Sequence, residues 1–215
     1  MKTTNMYIKL ISLALLLCLL VVPLTGCSSA RNGDAPFQIA FTALHMNTAA
    51  VSDYGAMLVN EMPELVIDGN APRFTPIVAG VVENDPESGR IHDPMMGIAG
   101  MVQIPLMVTA RELDVVIATL DNAARDARGD MFLPLDEIFT PEELAAFGDR
   151  LISFEHVEID GPYTRPTGEM TPICGINIAG NEHMRQIFGE QEIGVFIVAN
   201  SRNVELAREV MLSLV

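Results

Sequence analysis

The hydrophobic pattern changes period several times along the chain, and each change predicts an element. The most apolar and β-branched run is Leu113–Leu120, interrupted only by Asp114 and Thr119. It predicts a strand covered on both faces, as at the centre of a largely parallel sheet. Asp121 and Asn122 follow at its C-terminal end, Ala123–Arg128 favours helix, Gly129 stops that helix, and Phe132–Leu135 returns to the core. Upstream, Phe37–His45 alternates loosely and predicts the first strand. Within Ala49–Met62 the apolar residues Val51, Tyr54, Met57, Leu58 and Met62 fall at helical spacing, with Pro63 just beyond. Leu65–Ile67 reads as a short strand or an edge before the turn Asp68-Gly69-Asn70. Phe74–Val82 is the second main strand, and Pro76 assigns it to an edge or a bulge. Glu83–Met96 reads as a loop. Gly97–Ala110, with Pro105 inside, is one kinked helix or two shorter pieces.

Downstream, Thr140-Pro141-Glu142-Glu143 carries a Thr cap, Pro at the first helical position and Glu at the third, and predicts a helix to about Phe147. Leu151–Ile159 alternates in part and predicts a strand. Asp160–Gly168 is turn-rich, a hairpin-like excursion. Thr171–Ile178 is a strand, Asn181–Phe188 a helix and Glu192–Val198 another apolar strand. Asn200 or Ser201 caps the last helix, Val204–Leu214, whose apolar residues form a stripe. Strands alternating with helices define an α/β fold with a mainly parallel or mixed sheet flanked by helices. About five strands are expected from the usual sheet size.

The N-terminus is set apart from this fold. Lys2 and Lys9 precede the apolar run Leu10–Val22, which at about 1.5 Å per residue is too short for a hydrocarbon core of roughly 30 Å. Leu24-Thr25-Gly26-Cys27 follows, then Ser28-Ser29-Ala30. This order resembles the signal and lipobox of bacterial lipoproteins. The resemblance implies removal of residues 1–26, lipidation of Cys27 (acyl chains such as palmitate) and a tether over 27–36. It implies an anchor on the extracytoplasmic face of the bacterial cell membrane. Both lysines of the chain lie in the signal, so residues 27–215 carry 28 acidic residues against 11 arginines, a net −17. A charge of that sign disfavours nucleic acid as a partner and disfavours lying flat on anionic lipid. Cys174 is the one cysteine outside the signal and the lipobox, so an intrachain disulfide is not expected.

Candidate chemistry is sparse. His45, His92, His156 and His183 are scattered. His92-Asp93 with Met95-Met96 is the nearest approach to a soft-metal cluster, and it reads better as a loop whose methionines cover core. Cys174 lies in an apolar strand without an adjacent base and reads as a buried inert thiol. The chain has no G-x-S-x-G, Walker or G-x-G-x-x-G motif, and no enzyme, cofactor or metal is expected. The residues that follow the strands differ in kind. Thr42, His45, Met46 and Asn47 follow the first strand, and Thr119, Asp121 and Asn122 follow the central one. Ligands collect outside the carboxyl ends of strands in open α/β sheets. Asn47, Asp121 and Asn122 either hold a ligand there or cap helices.

Three features together resemble the extracellular solute-binding proteins of ABC transporters, with the type II periplasmic-binding fold. They are the lipobox, the strand LDVVIATLDN running through a short helix into MFLPLDEIF, and the late strand–turn–helix IGVFIVANSRNVELAREVMLSLV. The resemblance implies capture of a small polar solute and a permease partner. Residues 27–215 are few for the usual two lobes, and the stretch between Ile159 and Thr171 is too small to hold a second one, so a single-lobe domain over 37–215 is expected. The alternative on the same fold is a surface interaction or scaffold lipoprotein that binds no small molecule.

Overall fold

The computed structural model describes residues 35–80, 94–160 and 163–215. The expected signal over residues 1–26, Cys27 and His92-Asp93 lie outside them. Residues Pro36–Val215 form one unit, an α/β domain.

The run built from Val and Ile becomes β3, Val115–Thr119, with Val115 to Ala118 buried. On one side β3 pairs in parallel with β1 (Gln38–Ala43), which in turn pairs in parallel with β2 (Arg73–Val78). On the other side it pairs antiparallel with β8 (Ile193–Ile197). β8 continues antiparallel to β7 (Gly175–Asn177), and β7 to the two-residue β4 (Leu151–Ile152). Among the described residues the order is β2-β1-β3-β8-β7-β4, six strands rather than five. β3 is interior and β2 is an edge, the position that Pro76 requires because it has no N–H to donate.

Side chains alternate between two core layers. Ile39, Phe41, Val115, Ile117, Val195 and Ile197 face one layer. That layer is closed by α1 (Thr48–Glu61), α4 (Pro141–Phe147), α5 (Glu182–Phe188) and α6 (Val204–Ser213). Ala40, Val116, Ala118 and Phe196 face the other, which is covered by α2 (Pro94–Thr109) and α3 (Leu120–Ala127). α2 is a single helix with Pro105 inside. Its start at Pro94 corrects the expected extent of the loop to Met96. It lies close enough to β2 that a Cβ on Gly100 would stand 1.9 Å from the Val78 carbonyl oxygen. Only a residue without a side chain permits that approach.

Asp114 ties the start of the sheet together. It is buried and accepts from the Gln38 N–H at 3.0 Å, the Ser201 hydroxyl at 2.7 Å and Asn203 Nδ2 at 3.1 Å. Strands β1 and β3 and the entry to α6 therefore share one carboxylate.

Several expectations are corrected. Leu151–Ile159 is not one strand: it breaks at Ser153-Phe154 into β4 and β5 (Glu155–Asp160). At the break Phe154 N donates to Thr171 Oγ1 at 2.9 Å. The stretch after it is the hairpin-like excursion expected, but built mostly of strand rather than loop: β6 (Tyr163–Met170) pairs antiparallel with β5 in a separate two-stranded sheet. Both strands there are edges, which is why Pro166 and Gly168 are tolerated. Leu65–Ile67 is a 3-10 turn (Pro63–Leu65) with an isolated bridge from Ile67 to Asn70. The last helix is entered at Asn203, whose own side chain makes no cap bond because its Nδ2 donates to Asp114. Ser201, two positions earlier, donates to Asp114 and accepts from Asn203 N at 3.1 Å, and Asn200 Nδ2 donates to the Val108 carbonyl. The expected capping box is present: Thr140 Oγ1 accepts from Glu143 N while Glu143 Oε2 accepts from Thr140 N.

Candidate ligand-binding site

β1, β2 and β3 run parallel, so their C-terminal ends share one edge of the sheet. The loops after β1 and β3 thus lie on the same side, as expected. β8 runs the other way, so its beginning reaches this edge: Leu120 N donates to the Glu192 carbonyl at 3.1 Å. These ends enclose a cleft of about 780 Å³. Leu44 and His45 line it from β1, Ala79 and Gly80 from β2, and Thr119, Leu120, Asp121, Asn122 and Arg125 from β3 and α3. Gln191 and Glu192 line it from the entry to β8, and Met101 from α2. The sides of the cleft are apolar, while Asp121, Glu192 and Arg125 bring charge to it.

Of the residues singled out from the sequence, His45, Thr119, Asp121 and Asn122 line the cleft. Thr42 is buried beneath it, where its hydroxyl accepts from Asn122 Nδ2 at 3.4 Å. Asn122 Nδ2 also donates to the Ala79 carbonyl at 3.0 Å. The amide therefore ties the ends of β1 and β2 to α3. Asn122 is not a cap: α3 begins at Leu120, with Thr119 as its N-cap and no side-chain cap bond. Asp121, in the first helical turn, is exposed. Asn47 does cap its helix. Its side chain accepts from Ala50 N at 3.3 Å, and its own N–H donates to the Ile187 carbonyl at 2.8 Å. Met46 packs against the core layer on the far face of the sheet. Neither Met46 nor Asn47 is among the described residues lining the cleft.

The pattern passed over Arg125, Gln191 and Glu192. Arg125 falls one turn after Asp121, on the same helix face. That spacing was readable once the helix was placed. Gln191 and Glu192 precede their strand, and only the antiparallel insertion of β8 turns a strand's beginning toward the ligand edge. Gln191 Nε2 also donates to the His45 carbonyl at 2.9 Å, joining the two sides of the cleft.

Beneath Arg125 lies Asp126, only 1% exposed. Arg125 Nε donates to Asp126 Oδ1 at 3.0 Å and Nη2 stands 2.9 Å from the same oxygen. Asp126 Oδ2 has no hydrogen-bond partner among the described residues. Burial pushes this carboxyl above its ordinary range, and the opposing pull of Arg125 does not offset it. A carboxyl raised in the folded state holds its proton more tightly folded than unfolded. Its contribution to stability is thus present below the ordinary carboxyl pKa and is lost as pH rises through that value toward the folded one. Asp126→Asn keeps the shape and removes the charge. It is expected to stabilise the domain by about 1 kcal/mol at neutral pH, with the gain disappearing at about pH 3, where Asp126 is itself protonated. Urea denaturation at the two pH values checks this. Equal destabilisation at both would mean that the Arg125 pair outweighs the burial.

Cys174 is buried, and burial pushes its thiol up to about 11. Among the described residues no group of three His, Cys, Asp or Glu side chains is placed to hold a metal ion, and no helix is long and apolar enough to cross a membrane. No family model, curated protein or solved structure matches the chain.

Proposed function

We propose that this chain is a lipid-anchored extracytoplasmic binding protein, resembling the solute-binding component of an ABC importer, that captures a small polar solute without catalysis. The supporting observation is the cleft at the carboxyl ends of three parallel strands, where open α/β sheets take their ligands. With Asp121 and Glu192 against Arg125, the lining suits a neutral or zwitterionic solute better than a phosphate. Leu44, Met101 and Leu120 supply apolar contact, and Asn122 holds the strand ends in register beneath the ligand.

A thermal-shift screen of the detergent-solubilised mature protein against small metabolites tests the reading. A ligand at a hundredfold excess over its Kd stabilises by about 2.7 kcal/mol. Asp121→Ala with Glu192→Ala removes two exposed carboxylates and is expected to change stability by less than about 1 kcal/mol, while binding weakens at least about tenfold. Binding unchanged by the pair moves the site elsewhere, and no stabilising solute at all removes the reading. Anchoring is checked separately. Wild type is expected in the membrane fraction with acylated Cys27, and Cys27→Ala is expected not to mature. Free wild-type protein with residues 1–26 attached would refute the anchor.

A second reading, a scaffold lipoprotein that binds no solute, draws on one observation. The outward face of α2 is apolar, with Ile98, Val102 and Leu106 exposed.

A further inference from the structure

α2 contains no charged residue in sixteen positions, PMMGIAGMVQIPLMVT. One face of it is accounted for by packing: Gly97, Gly100, Ile104 and Met107 are turned to β2 and the core layer beneath. The opposite face carries Ile98, Val102 and Leu106, spaced four apart and 56%, 53% and 66% exposed. Residues at that spacing form one ridge. An amphipathic surface helix presents polar residues to water; this one presents a branched aliphatic row.

The chain that precedes the domain meets it near one end of this helix. Phe37 leads directly into β1, and Asp114 N, just past the end of α2, donates to the Gln38 carbonyl at 3.0 Å. Residues 28–36, small and polar with Gly33 and Pro36, reach at most about 30 Å when extended. A helix of this length spans about 24 Å, so a lipid on Cys27 can sit anywhere along it. Arg111 and Glu112 directly follow α2, and Arg73 pairs with Gln38 at the start of β1, in a chain whose residues 27–215 total −17.

We propose that the exposed face of α2 rests on the lipid bilayer, with Ile98, Val102 and Leu106 entering the headgroup–acyl boundary. The inference rests on the reading of Cys27 as the acylated anchor. Area decides between lipid and a second copy. Three half-exposed aliphatic side chains offer on the order of 300 Å², against roughly 800 Å² per partner in a stable protein interface. A shallow insertion needs no partner surface, and the anchor already holds the domain at the membrane, so a weak apolar contact suffices. Acidic residues elsewhere on the domain are repelled by anionic lipid over about 8–10 Å, which favours setting down α2, the one helix among the described residues that carries no charge.

The mature lipoprotein, reconstituted into phosphatidylcholine vesicles with one quarter phosphatidylglycerol, provides the test. An environment-sensitive dye is placed at Val102→Cys and, in a separate preparation, at Glu182→Cys on α5 across the sheet. Mass spectrometry first reports whether Cys27 is acylated. The dye at 102 is expected to be quenched at least about twofold more by nitroxide lipids than the dye at 182. Val102→Asp with Leu106→Asp is expected to abolish the quenching of a dye at position 98 (Ile98→Cys) while the far-ultraviolet spectrum stays that of the folded domain. Acylated protein with equal quenching at 102 and 182 overturns the docking and leaves the anchor standing. Unacylated protein overturns both. A dye at 102 that is shielded but not quenched, with unlabelled Val102→Cys protein cross-linking between copies when a copper-phenanthroline oxidant is added, assigns the face to a second copy and overturns the proposal.

Discussion

Asp114→Ala is expected to destabilise the domain by about 3–5 kcal/mol, since hydrogen bonds to a charged group contribute about 1.5–3 kcal/mol each and part of that loss is recovered where donors can turn to water. The carboxylate accepts three donors: the Gln38 N–H, the Ser201 hydroxyl and Asn203 Nδ2. Removing it leaves the buried Gln38 N–H unpaired, while the half-buried Ser201 and Asn203 must turn to water, at the point where β1, β3 and the entry to α6 meet. An orphaned buried donor costs about 1–3 kcal/mol. Asp114→Asn is a sharper variant. Every partner donates, so an amide NH₂ in place of either oxygen faces a donor, and most of the loss is expected to remain. The measurement is the urea midpoint of each variant at constant slope. An Asp114→Ala midpoint within error of wild type would mean that water replaces the carboxylate and that the three-way tie adds nothing.

Phe196→Ala is expected to cost a similar amount, about 3–5 kcal/mol. The ring is fully buried, stacks on Phe132 with centroids 4.5 Å apart, and lies 6.1 Å from Phe154. It also covers a strand without a side chain of its own: a Cβ on Gly175, directly across in the β7–β8 pairing, would stand 2.3 Å from Phe196 Cε1. Truncation therefore opens a cavity floored by backbone, which neighbouring side chains are poorly placed to refill. Phe196→Leu is expected to lose less than half as much, since a branched side chain still covers Gly175. Denaturant unfolding compares the two. Equal losses would show that stacking on Phe132, rather than volume, supplies the stability.

What the sequence made legible follows from how local each signal is. β3 and β8 are dense in Val, Ile and Phe, and both were readable. Pro76 marked β2 as an edge, and Thr140 with Glu143 marked the start of α4 to the residue. The failures have non-local causes. Leu151–Ile159 continues to alternate through Ser153-Phe154, and only the bonds of Phe154 with Thr171, distant in sequence, divide it between two sheets. Ser201 does accept a backbone N–H at the entry to α6, from Asn203, but its tie to Asp114, 87 positions away, was not legible. At the cleft, Asp121 and Asn122 were legible as strand-end residues. The burial of the Asn122 amide against Thr42 and Ala79 was not, since it depends on the meeting of three segments. Met46 and Asn47 follow β1 by the same rule, yet helix capping and the far core layer take them out of the cleft. Gln191 and Glu192 needed the direction of β8, which no periodicity encodes.

That direction also bears on the order in which the molecule is made. β8 is the last strand in sequence but the fourth of six in space, between β3 and β7. Until residues 193–197 are synthesised, β3 has an unpaired edge of Val and Ile, and the three-residue β7 lacks its partner on the side that β8 will fill. An unpaired apolar edge is a template for pairing between neighbouring nascent chains. Closure waits for a segment about 75 positions beyond β3, a contact of high sequence separation that slows folding. A growing chain of this protein therefore carries its sheet in two pieces until residue 197 has been added.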